Sequence, residues 1–236
     1  MRKTVKDGRQ AGPRIVAAGT YVDGPNPIWP SSLRVANSQQ GRQAVASLKQ
    51  SGVDFIKVYS LLPREAYFAV ADEAKKQGIP FAGHVPFSIS AAEAAGAGQR
   101  SIEHLDMILR ASSSYEAEAG KELQVAASQP DATAAVLAVM RTQARKIAET
   151  FNEEKAQSLY ARMANNKVRI GPTLVVQRAI SRLNDPAFTG DARRKYLPAF
   201  ITDSWNPQGD VRLKALTPEE LQAARNSFQG LLNLVG

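Results

Sequence analysis

Two histidines and one lysine recur in phase along this chain. His84 and His104, its only histidines, each stand six residues after a glycine, Gly78 and Gly98, and Lys57 stands five residues after Gly52. Neutral imidazoles suit zinc and similar borderline metals, and they carry little charge cost in a buried site. A lysine between Ile56 and Val58 on a buried strand is costly unless it serves a site. Side chains at one phase of a repeated unit gather at one end of neighbouring parallel strands, where a barrel enzyme builds its chemistry. Tyr59 has the strand parity of Lys57, so it points into the same cavity and could donate a hydrogen bond to a developing oxyanion. Plain packing is the competing role for Tyr59, as it is for either histidine taken alone.

The elements that must position these residues are legible in the same stretch. Gln39 to Ser51 carries a helical apolar stripe of Ala44, Val45 and Leu48, stops at Gly52 and gives way to a β-branched and aromatic run, Val53 to Tyr59. A second helix opens at Ser60-Leu61-Leu62-Pro63, with the proline suited to its first turn, and ends at Lys75-Lys76-Gln77-Gly78. The strand Pro80 to Val85 follows. Ser90 and Glu93 fit a capping box for an alanine-rich helix that stops near Gly98, and Ser101 to Leu105 reads as a third strand. Helices alternating with short buried strands predict a parallel α/β sheet, closed as a barrel or open and doubly wound. Further strands are expected at Arg14 to Ala18 and Arg169 to Val175, about five in all where a closed barrel needs eight. Residues from about 110 to 166 read as a helical insertion. Residues from about 177 to 217, with Pro186, Phe188, Tyr196, Phe200 and Trp205, read as an irregular, lid-like cover.

Composition narrows the class. The chain has 236 residues and 44% hydrophobic content, enough for one domain with a real core and ordinary for a soluble globular protein. No apolar run approaches the roughly 20 residues that cross a bilayer, and the first residues lack the apolar segment of a signal peptide. With no cysteine, disulfides and thiolate metal sites are excluded, and the compartment stays undetermined. The net charge of +8 raises a nucleic-acid or polyanion reading. That reading is set aside because the basic residues are scattered and the densest cluster, Arg193-Arg194-Lys195, sits beside Asp191.

An ordered set of short strings carries a resemblance: Gly12 to Gly19 (GPRIVAAG), Gly52 to Ser60 (GVDFIKVYS), Gly83 to Pro86 (GHVP), Ser90 to Gly98 (SAAEAAGAG), Ser101 to Asp106 (SIEHLD) and Pro172 to Val176 (PTLVV). Together they resemble the amidohydrolase superfamily, in its imidazolonepropionase-like and Xaa-Pro dipeptidase-like branch. The resemblance implies a partial (β/α)8 TIM-type barrel of parallel strands. It assigns Lys57, His84 and His104 as metal ligands, on the fourth, fifth and sixth barrel strands. Two divalent ions, zinc the first expectation, would be bridged by a carboxylated Lys57. The implied reaction is hydrolysis of an amide, peptide or cyclic amide C–N bond by a metal-activated hydroxide, with Tyr59 as the candidate catalytic donor and a small-molecule or dipeptide-like substrate. Arg178, Arg182, Arg193 and Arg194 are candidates for capturing a substrate carboxylate. The family's first-strand His-x-His pair and last-strand aspartate have no counterpart in this sequence. The expectation is therefore an internal fragment of such an enzyme, lacking the first and last barrel strands, and the alternative is an inactive fragment that binds metal weakly. Exposed strand edges would favour self-association as a homo-oligomer. No nucleic-acid or membrane partner is expected.

Overall fold

The computed structural model describes residues 1–182, 185, 190–204 and 217–235. Six strands form one sheet: β1 (Val22–Asp23), β2 (Leu33–Arg34), β3 (Ile56–Val58), β4 (Phe81–Gly83), β5 (Ser101–Glu103) and β6 (Arg169–Gly171), in the order β2-β1-β3-β4-β5-β6. The pairings from β2 through β5 are parallel. Arg169 N donates to the Arg100 carbonyl and His104 N to the Gly171 carbonyl, an ascending order along both β5 and β6 that is also the parallel sense. The α/β class with a parallel sheet is thus the fold of the chain. Within β5 and β6 the chain divides into two compact units, Met1–Ile102 with Arg162–Arg169, and Glu103–Ala161 with Ile170–Gly236.

The first unit is built from strand-helix repeats. Helix α1 (Arg2–Lys6) precedes β1, α2 (Ser38–Gln50) leads into β3, α3 (Arg64–Lys76) into β4 and α4 (Ala91–Gly96) into β5. Asn37 caps α2 by accepting from Gln40 N, Pro63 caps α3, and Ser90 with Glu93 forms the expected capping box of α4. Helices α2 and α3 pack closely because Gly41 has no side chain, and a Cβ there would lie 2.9 Å from the Ala66 carbonyl oxygen. Beneath them Val22, Val45, Ile56, Val58, Tyr67 and Val70 are fully buried. The strands are shorter than the apolar runs that announce them. The segment 53–59 contributes three strand residues and 80–85 another three.

Two expected strands differ. No strand forms at 14–18, because Asp54 claims the Ala17 backbone: its Oδ2 accepts from Ala17 N at 2.8 Å, and its N–H donates to the Ala17 carbonyl at 2.9 Å. The first strand is β1, too short for any periodicity to reveal. The segment 169–175 is strand only to Gly171. Pro172 cannot donate to a ladder, Thr173 turns the chain at φ 47°, and Leu174 opens helix α9 (Leu174–Ser181).

The second unit is mostly helical. It holds α5 (Asp106–Ala111), α6 (Glu116–Ala127), α7 (Ala132–Glu149), most of α8 (Glu153–Asn165), α9, a 3-10 turn (Ala192–Tyr196), α10 (Ala199–Ser204) and α11 (Pro218–Asn233). Ala119, Leu123, Ala126, Val136 and Ile147 fill the seam of α6 and α7, and α11 packs on α7 and α9. Among the described residues from 177 to 204, the expected irregular cover contains the end of α9, the 3-10 turn and α10, with non-helical residues between them. Pro186, Phe188, Trp205, Pro207 and Gly209 lie outside the described residues. Among the described residues no helix is long and apolar enough to cross a membrane.

Candidate functional site

In the first unit Tyr21, which directly precedes β1, and Tyr59 and His84, which directly follow β3 and β4, form one stacked group. Tyr59 and His84 follow directly after paired Val58 and Gly83, so both stand one step past the same register point. The Tyr59 ring lies against the His84 ring, centroids 4.0 Å apart and planes 31° apart, and stacks on Tyr21 at 5.2 Å and 15° on its other side. Lys57 Nζ sits 5.0 Å from the centre of the Tyr21 ring. Lys57 and Tyr59 therefore share a face, as their parity requires. Asp54, four residues before Val58, pairs with Arg2 at 2.6 Å.

Hydrogen bonds orient the His84 and Tyr59 rings. Ser60, buried directly after Tyr59, places Oγ 2.8 Å from His84 Nδ1. Trp29, in the loop after β1, donates Nε1–H to the Tyr59 hydroxyl at 2.8 Å. Burial pushes the Tyr59 phenol above its ordinary range, while the Trp29 hydrogen bond and the Lys57 charge pull the other way. Tyr59 thus stays protonated at neutral pH, with one lone pair occupied by Trp29 and its own hydrogen available to donate.

Behind this face stand two buried polar groups. Gln99 Nε2 donates to the carbonyls of Gly83 and Ser101, each at 3.0 Å, and Gln99 Oε1 accepts from the Tyr67 hydroxyl at 2.8 Å. The end of β4 that carries His84 is therefore held from within the core. Asp23 ends β1 and is 0% exposed. Its carboxylate accepts from Leu61 N at 2.7 Å and Ile28 N at 3.1 Å, tying the loops after β1 and β3. Burial raises its pKa above the usual carboxylate value, and the backbone N–H groups of Gly24, Leu61 and Ile28 oppose that shift without cancelling it.

In the second unit His104 directly follows β5 and adopts φ 69°, a left-handed conformation that costs a non-glycine residue about 1–3 kcal/mol. Its N–H donates to the Gly171 carbonyl at 2.9 Å, and its Nδ1 lies 2.6 Å from Thr173 Oγ1, on another left-handed residue. Asp106, two residues on, has its pKa raised by burial, against the His104 charge. Of the candidate arginines, Arg182 pairs with Asp185 at 3.8 Å and Arg193 with Asp191.

Of the sequence candidates, Lys57, Tyr59 and His84 come together in the first unit and His104 lies in the second, while Tyr21, Trp29, Ser60 and Thr173, which contact them, were not singled out as site residues by the sequence. Ser60 and Thr173 had a signal: each is a hydroxyl residue within two positions of a strand's last residue. Trp29 had none, since it arrives from a loop 30 positions away.

No protein-family model matches the chain, and no curated protein matches it. Solved structures do. The parallel sheet and its flanking helices define an α/β fold, and the structures it resembles share it. Bottromycin amidohydrolase matches over 99% of this chain at 19% identity, with a TM-score of 0.62. The chain spans 46% of the length of that structure. A Xaa-Pro dipeptidase with methionine bound in its active site aligns with 70% of this chain and 55% of its own, at 19% identity and a TM-score of 0.37. A prolidase complexed with N-methylphosphonate-L-proline aligns over 72% and 50%, also at 19% identity and 0.37. The first of these shows the shared fold.

Proposed function

We propose that this chain supplies the metal-binding strand ends of a hydrolase that cleaves C–N bonds in a small amide or dipeptide-like substrate. Lys57 as its carbamate, His84 and His104 are the proposed ligands to divalent metal, with zinc the first candidate. One observation carries the reading. Both histidines have Nδ1 engaged by a strand-end hydroxyl, Ser60 at 2.8 Å and Thr173 at 2.6 Å. With Nδ1–H donated to the hydroxyl oxygen, Nε2 is the basic nitrogen of each ring, which is how metal-binding histidines are held in the required tautomer. The donor chemistry suits a borderline divalent ion, with neutral imidazoles and a hard carbamate oxygen as ligand types.

An ion bound there would polarise the substrate carbonyl and lower the pKa of a water molecule. The chain's own residues would do the rest. Tyr59 donates its O–H toward the oxygen that gains charge as the carbonyl carbon becomes tetrahedral, and Trp29 fixes the direction of that donation. The stack of Tyr21, Tyr59 and His84 excludes water from one side of the reacting carbonyl. Addition of the water oxygen would form the new C–O bond, collapse would break the C–N bond, and a proton released by that water would pass to the departing amine.

The test is elemental analysis of the full reading frame that encodes this chain, purified with zinc and bicarbonate, beside His84→Ala and His104→Ala. Stoichiometric zinc, lost in each variant, together with hydrolysis of dipeptides supports the reading. A metal-free protein under replete conditions, with every variant indistinguishable from it, overturns it.

A further inference from the structure

Among the helices of the second unit lies a cleft of about 60 Å³, lined by Asp106, Arg110, Leu123, Gln143, Ile147 and Ser227 among others. Three features mark it as more than a packing gap. Arg110 is 5% exposed, and its described hydrogen bond is to Met107 Sδ, a weak acceptor for a guanidinium. Gln143 is 3% exposed; its Nε2 donates to the Ala119 carbonyl at 3.1 Å and to Glu122 at 2.7 Å, which leaves Oε1 buried without a donor. Asp106 stands four positions before Arg110 on α5, so donor and acceptor charges share one helix face. A buried guanidinium that binds a weak acceptor and a buried amide oxygen with no donor are both costly unless something completes them.

We propose that this cleft binds a small zwitterionic amino acid, with the carboxylate on Arg110 and the ammonium on Asp106 and Gln143 Oε1. Charge decides for a zwitterion over a simple anion. Arg110 is matched by Asp106, and nearby Glu116 by Lys155 at 2.8 Å, so the surroundings are balanced before any ligand arrives. A net-neutral ligand preserves that balance, whereas an anion leaves an uncompensated charge in a buried site. Burial lowers the Arg110 pKa to about 10, with the charges of Glu116 and Asp106 opposing, so the guanidinium is still cationic at neutral pH. Size limits the ligand further. At roughly 10–15 Å³ for each water, the cleft holds about four to six waters, which suits glycine or alanine and excludes large side chains. Ser227 also lines the cleft. The proposal does not depend on the hydrolase reading, since none of its residues is a proposed metal ligand.

The test is calorimetric titration of the whole chain with glycine, acetate and methylammonium as separate probes. Glycine should bind one to one, and acetate and methylammonium each at least tenfold more weakly. Arg110→Gln should weaken glycine binding at least tenfold. Ala144 also lines the cleft, and Ala144→Leu, which fills it and keeps every charge, should do the same while leaving the circular dichroism unchanged, so the result stands even if Arg110→Gln fails to fold. Three outcomes would overturn the proposal: no glycine heat up to about 10 mM, acetate binding as tightly as glycine, or Ala144→Leu binding glycine like the parent chain.

Discussion

Ser60 and Thr173 act through atoms that no metal would touch. Each presents a hydroxyl to a histidine Nδ1, and removing it frees the ring to rotate or to take the other tautomer. Ser60→Ala and Thr173→Val should each weaken zinc binding by about 10–100-fold, read by competition with a chromogenic chelator; affinity unchanged in both would refute the orienting role. Trp29 is tested without any ligand. Losing its donor in Trp29→Phe removes a force that holds the Tyr59 phenol down, so Tyr59 should ionise at higher pH in the variant, as followed by tyrosinate absorbance with Tyr59→Phe to assign the signal. The candidate residues were legible because their chemistry is rare: two histidines in the whole chain, both in phase, and a lysine inside an apolar strand. Their supports were less legible, because serine, threonine and tryptophan serve in many places and only the tertiary fold decides where.

Strand ends set the precision of the site, and Gly83 controls the end of β4. Gly83 adopts φ +124°, and a Cβ there would overlap the Val58 carbonyl oxygen of the neighbouring strand. Gly83→Ala should therefore cost about 2–4 kcal/mol in urea unfolding; a loss under about 1 kcal/mol would mean that the strands can part to admit a methyl group. Asp23 offers a pH signature at the end of β1. Its folded pKa is raised above the unfolded value, so its contribution is fully present below that unfolded value, about pH 4, and is lost as pH rises through the folded pKa. Asp23→Asn gives up one backbone acceptor at every pH but cannot titrate. Relative to the parent, the variant should be least stable in acid and recover as pH rises, a trend that urea midpoints from about pH 3 to pH 7 would reveal. The helices of the repeat were legible because caps and stripes are local, as with Ser90, Glu93 and the α2 stripe. At 14–18 and 172–175 the apolar, β-branched residues favour strand by composition, but Asp54 in one case and Pro172 with Thr173 in the other decide the backbone.

At the scale of the whole chain, the net charge of +8 works against a divalent cation, and Lys57 as an ammonium adds to that opposition. Carboxylation of Lys57 changes one side chain from +1 to −1 and converts a repelling group into a ligand, so metal and carbon dioxide should bind cooperatively. A ligand that binds only the folded state at about 100 times its dissociation constant adds about 2.7 kcal/mol. For a chain of this size that corresponds to a rise of about 5–10 °C in Tm. Zinc with bicarbonate should therefore raise the melting temperature well above the level reached with zinc in carbon-dioxide-free buffer. Lys57→Ala should erase the bicarbonate dependence, and His84→Ala should erase the zinc effect altogether. Equal shifts with and without bicarbonate would leave the histidines as ligands and remove Lys57 from the set. A zinc shift that survives His84→Ala would place the ion elsewhere on the chain.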